Sequence, residues 1–133
     1  MNFPIFCDPT REIAVALGML EPGLKDSFGM PLTARNVFII SPDRKVKLLL
    51  VYPASTGRNF DELLRVVDSL QLSAENKLAT PVNWRPGEEA MVLPGISDEE
   101  ALSAFNSFRS VDLPSGKAYM RFVDGKHTLR NNK

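Results

Sequence analysis

The chain has 133 residues, 44% of them hydrophobic, with 16 Lys+Arg against 16 Asp+Glu and a formal net charge of zero. That length fits one domain or a domain with a small appendage, and the charge balance argues against nucleic-acid or acidic-membrane binding through bulk electrostatics. One cysteine, Cys7, and one histidine, His127, exclude an internal disulfide, a multi-Cys metal site and most His-based catalysis. No apolar run approaches the roughly 18–20 residues that span a bilayer, and Met1–Asp8 lacks the basic start and long apolar core of a signal peptide. A reducing, cytoplasmic setting is the expectation from cysteine usage.

In chain order, Phe3–Cys7 is a short apolar run that reads as a strand. Asp8-Pro9 opens a helix expected over residues 9–17, with Gly18 as its stop. Residues 19–33 read as a polar Gly/Pro-containing loop, near the length above which such loops are functional or braced. Residues 35–41 and 45–52, rich in Val, Ile, Leu and Phe, flank Pro42-Asp43-Arg44 and predict a β-hairpin. The later half of the second strand, Leu48–Tyr52, is apolar on both faces and is expected to be covered or paired with another chain. Asn59 with Glu62 forms a capping-box pattern. Phe60, Leu63, Leu64, Val67 and Leu70 then fall at helical spacing, a stripe expected to bury against the hairpin.

Composition then changes. Residues 73–89, with Pro81, Trp84, Pro86 and Gly87, read as an extended connector. Residues 90–93 suggest a short strand, and Ser97 with Glu100 a second capping box opening a helix through Phe105. Residues 108–113 and 118–123 are candidate strands around the turn sequence 113–117. Residues 124–133 read as a frayed polar tail, with His127 solvated.

Several words of sequence resemble the C-terminal part of the one-cysteine peroxiredoxins, the peroxiredoxin 6-type group. They are FPIFCDPTREIAVALGMLEPG, GMPLTARNVFIISPDRKVKL, YPASTGRNFDELLRVVDSLQL, ATPVNWRPGEEAMVLPGI and LPSGKAYMRF, collinear over nearly all of residues 3–123. The resemblance implies an α/β chain: the C-terminal part of a thioredoxin-like fold (a mixed sheet with flanking helices) over residues 1–75. A small α+β peroxiredoxin C-terminal domain follows over 76–123, and a flexible tail over 124–133. It implies reduction of hydrogen peroxide and lipid or alkyl hydroperoxides by a cysteine thiolate, regenerated by an external thiol, with no cofactor or metal. It also implies a homodimer paired through the strand Lys45–Tyr52.

The family's Pro-x-x-x-Thr-x-x-Cys word, which carries the peroxidatic cysteine, does not occur in these residues. The chain is therefore expected to be inactive alone. The alternative is a non-catalytic interaction fragment that pairs with a full-length subunit. Cys7 is read as a small structural residue, since Asp8 is negative and Pro9 removes an amide donor where a thiolate needs cations and helix amides. Arg35 matches the arginine beside the family's peroxidatic cysteine, where a guanidinium stabilises the thiolate and grips peroxide oxygens. Arg58 matches a second arginine that helps orient this site. Asp43 matches an aspartate assigned, in mammalian-type members, to a Ser-His-Asp set for phospholipase A2 activity. As a plain sequence feature it is a turn residue.

Overall fold

A computed structural model describes residues Asn2–Thr128, which separate into two compact units, the first ending at Asn59 and the second starting at Phe60. In the first unit, helix α1 (Glu12–Ala16) is shorter than the sequence suggests. Pro9 and Thr10 lie in a turn, and Arg11 enters the helix in the left-handed region at φ 63°. Asp8 still serves the helix: its carboxylate accepts from the amides of Ile13 (3.2 Å) and Ala14 (2.9 Å), donors that a first turn leaves unpaired. Gly18 ends it as expected. It sits at φ 64°, its amide donates to Val15 O, and the Met19 amide reaches Ala14 O at 2.7 Å, the paired bonds of a Schellman stop. The strand expected over Phe3–Cys7 does not form. Phe3, Ile5 and Phe6 are exposed, and no neighbouring strand among the described residues offers them a ladder.

The expected loop over 19–33 is instead a hairpin of strands β1 (Leu20–Lys25) and β2 (Pro31–Thr33). Asp26 makes its turn, with Oδ1 accepting from the amides of Phe28 and Met30, both at 2.9 Å. Strands β3 (Arg35–Ile40) and β4 (Val46–Tyr52) form the predicted antiparallel hairpin, in register from Arg35 opposite Tyr52 to Ile39 opposite Leu48. Ile40 then pairs with Val46, so Lys47 is the extra residue of a bulge beside the turn.

In the second unit, helix α2 (Phe60–Glu75) starts directly after Asn59, as the capping pattern predicts. The helix lies in the second unit, where its C-terminal half packs. Leu72 is in that unit's core, whereas Phe60 and Leu64 are exposed. Strands β5 (Leu78–Ala79), β6 (Ala90–Val92), β7 (Arg109–Ser110) and β8 (Arg121–Val123) make an antiparallel sheet in the order β5-β6-β8-β7. Helix α3 (Asp98–Phe105) carries the predicted capping box: the Glu100 amide donates to Ser97 Oγ and the Ser97 amide to Glu100 Oε2. The core is Leu72, Leu78, Trp84, Ala90, Val92, Ala101, Phe105 and Val123. Trp84, 1% exposed, anchors the segment expected to be an extended connector, and its indole N–H donates to Glu88 O at 3.2 Å.

Part of the expected tail is also structured. Residues Gly125–Thr128 form a 3₁₀ turn, and buried Thr128 accepts from the Gly87 amide and donates among the carbonyls of Glu88 and Gly125. His127 is half-buried rather than solvated, its ring edge-on to Phe105 at 5.5 Å between centroids. The remainder of the expected tail, 129–133, lies outside the described residues.

Candidate functional site at the open end of the hairpin

The alternation of β3 and β4 decides where their chemistry-bearing residues stand. Arg35 opens β3 and faces Tyr52, the last residue of β4, so both lie at the open end of the hairpin. The chain leaving β4 turns at once: the Thr56 amide donates to Pro53 O at 2.9 Å. That turn presents the Ala54 carbonyl, which accepts from Arg35 Nε at 2.9 Å. One nitrogen of the guanidinium is thus fixed, and among the described residues no carboxylate pairs with the side chain. An exposed guanidinium without a carboxylate partner can hold an anion or a polarised oxygen. Arg58 is exposed, four residues beyond Ala54 in the segment that follows β4.

Asp43 stands at the other end. The rest of β3, rising roughly 3.3 Å per residue, separates it from Arg35. Its carboxylate takes a short hydrogen bond from Ser41 Oγ, a bond from the Lys45 amide at 3.3 Å and an ion pair with Lys47 Nζ at 3.4 Å. The Ser41 hydroxyl, followed by Lys45 and Lys47, holds it below its ordinary carboxylate value. All these partners belong to the turn itself, and Arg44 adopts φ 61° to complete it. Cys7 is exposed and free. Arg11, the cation nearest it in sequence, donates instead to Asp8 O (2.8 Å) and Pro31 O (3.3 Å). Among the described residues no cluster of His, Cys, Asp and Glu could hold a metal, and no helix is long and apolar enough to cross a membrane.

Sequence reasoning missed two polar residues that organise the second unit. Arg121, 4% exposed, donates to Asp98 Oδ1 (2.6 Å), Ile96 O (2.6 Å) and Leu93 O (3.2 Å), with its guanidinium over Phe108. Thr128 closes the turn at Gly87. Arg121 alternates with apolar neighbours in a strand, a signal that pointed to neither face.

Residues 69–107 match the family model described as the C-terminal domain of one-cysteine peroxiredoxin. Chicken peroxiredoxin-6 is 60% identical over 124 residues, and the human protein 57% identical over the same length, each covering 92% of this chain and 55% of the relative. The chain matches the C-terminal part of the one-cysteine peroxiredoxins. It spans about half the length of the curated peroxiredoxins it matches. The solved structure of a cysteine-to-serine mutant of peroxiredoxin 6 from Arenicola marina superposes with a TM-score of 0.84 at 56% identity, covering 87% of this chain and 53% of that one. A yeast mitochondrial one-cysteine peroxiredoxin, whose thiol is resolved through glutathione/thioredoxin systems, gives 0.78 at 37% identity over 92% and 56%. The mixed α/β architecture is therefore peroxiredoxin architecture, of the thioredoxin-like class.

Proposed function

We propose that these residues serve in thiol-dependent reduction of hydrogen peroxide and lipid or alkyl hydroperoxides, with Arg35 on the cationic side of the reacting centre. The observation that carries this reading is Arg35 itself. It stands in the T-A-R word of a chain 60% identical to a peroxiredoxin-6, at a hairpin end, with one nitrogen fixed and, among the described residues, no carboxylate to neutralise it. A guanidinium so placed favours a thiolate over a thiol and can hold the peroxide oxygens as negative charge develops on the leaving one. Arg58, from the loop that fixes Arg35, is assigned the lesser role of orienting it. Asp43, fully engaged by its own turn, is read as a turn residue.

The nucleophilic word is not among these 133 residues, so the thiolate comes from outside them and the chain alone turns over no peroxide. The reductant is a low-molecular-weight thiol or a dithiol protein, as in the yeast relative, and a cytoplasmic setting fits a chain with one free cysteine. Pairing of two copies through Lys45–Tyr52 belongs to the same proposal. It is supported by the exposure of Val46, Leu49 and Val51 on that strand, and sedimentation of the chain over a concentration series tests it. The deciding assay for the chemistry is peroxide consumption with dithiothreitol, run beside Cys7→Ser. No turnover in either agrees with the proposal. Turnover that disappears in Cys7→Ser makes Cys7 the nucleophile and overturns it.

A further inference from the structure

We infer that the turn Pro53–Thr56 is the positioning element for Arg35, aiming its guanidinium through the Ala54 carbonyl; the inference rests on the peroxidase reading of Arg35. A guanidinium is a planar fork, so fixing Nε fixes the plane in which both terminal nitrogens point. The Nε–Ala54 O bond, 2.9 Å, spans 19 positions of sequence and ties the first residue of β3 to the segment leaving β4. The carbonyl has that direction because of the Thr56 N–H···O Pro53 bond, also 2.9 Å. Charge alone would not need this arrangement: a lysine at position 35 would supply a cation with no Nε to anchor. Anchoring matters when the cation must meet two oxygens at a defined angle, where a displacement on the order of 1 Å can cost two orders of magnitude in rate.

The test separates aim from charge. These residues, in place of the matching 124-residue stretch of the chicken relative, give a polypeptide that holds the thiolate and is scored by single-turnover thiol oxidation with hydrogen peroxide. The variants are Thr56→Pro, which removes the turn's N–H, Thr56→Ala, which keeps it, Arg35→Lys, Arg35→Met, and the pair Thr56→Pro with Arg35→Lys. Pro53→Gly serves as a second way of loosening the turn. Thr56→Pro and Pro53→Gly are expected to slow oxidation about tenfold, with the pH at which the thiol ionises unmoved, because the cation is still there. Thr56→Ala is expected to match the parent, and the double variant to be no slower than Arg35→Lys.

A rate within about twofold of the parent in both turn variants, beside a slow Arg35→Lys, overturns the positioning role alone. So do falls that multiply in the double variant, which mean independent action. An Arg35→Lys variant as fast as the parent overturns the positioning role, since charge alone then suffices, whereas an Arg35→Met variant as fast as the parent overturns the reading of Arg35 beneath it.

Discussion

Replacing Arg121 with methionine tests whether a buried cation holds the second unit together. The guanidinium is 4% exposed and meets the Ile96 and Leu93 carbonyls at 2.6 and 3.2 Å, while its carboxylate partner, Asp98, is 63% exposed. Hydrogen bonds to a charged donor contribute about 1.5–3 kcal/mol each. The longer Leu93 bond falls at the low end, so the two carbonyls together account for roughly 3–4 kcal/mol. Methionine returns part of this by removing the desolvation of a buried charge and keeping apolar contact with Phe108. The net loss expected is about 2–3 kcal/mol. The ion pair contributes little by comparison: with Asp98 largely in water, Asp98→Asn is expected to cost less than about 1 kcal/mol.

Urea unfolding followed by the fluorescence of Trp84, the only tryptophan and a member of the same core, reads both variants. At slopes of about 1–3 kcal/mol/M, Arg121→Met should move the midpoint down by roughly 1–2 M and Asp98→Asn by a fraction of that. Equal shifts for the two variants, or an unmoved midpoint in Arg121→Met, would refute the carbonyl argument.

Two further predictions concern close packing and pH. A Cβ on Gly125 would run into Gly87 O and Gly87 C, both backbone, so Gly125→Ala is expected to destabilise the second unit by about 1–3 kcal/mol in the same unfolding assay. An unchanged midpoint would mean that Gly125 does not pack against the Gly87 backbone. Asp43 titrates below its ordinary value of 3.8, chiefly through the Ser41 hydroxyl. A depressed folded value means its contribution is present above the unfolded value and fades as pH falls through the folded one. Ser41→Ala should therefore raise the Asp43 titration toward 3.8, read by carboxyl NMR between about pH 2 and 5. No movement would assign the depression to the Lys45 amide and Lys47 instead.

What could be read from sequence followed how local its cause was. The capping box of α3 and the Gly18 stop are decided within four or five residues, and both appear where the residues place them. The β3–β4 hairpin was legible because two apolar runs flank a turn that bonds to itself. The β1–β2 hairpin was not, because Pro22 and Gly23 interrupt its first strand and only the Asp26 turn announces it. Phe3–Cys7 had a strand's composition, but a strand also needs a neighbour, which composition cannot supply. Trp84, Arg121 and Thr128 owe their burial to partners far along the chain, and no spacing rule reports such partners. At the candidate site, Arg35 and Arg58 came from resemblance. The Ala54 carbonyl that fixes Arg35 came only from the fold.

The joint between Thr128 and Gly87 also has a kinetic meaning. It closes a span of about forty residues through one hydroxyl and one amide. Closing so long a span costs chain entropy that a few hydrogen bonds repay only once β6, α3 and β8 already hold the two ends close. The joint therefore forms after the rate-limiting step and acts on the escape route from the native state rather than on the way in. Thr128→Val should leave the refolding arm of a stopped-flow chevron where it is and steepen loss on the other side, raising the unfolding rate. A slower refolding arm would place the joint inside the folding nucleus.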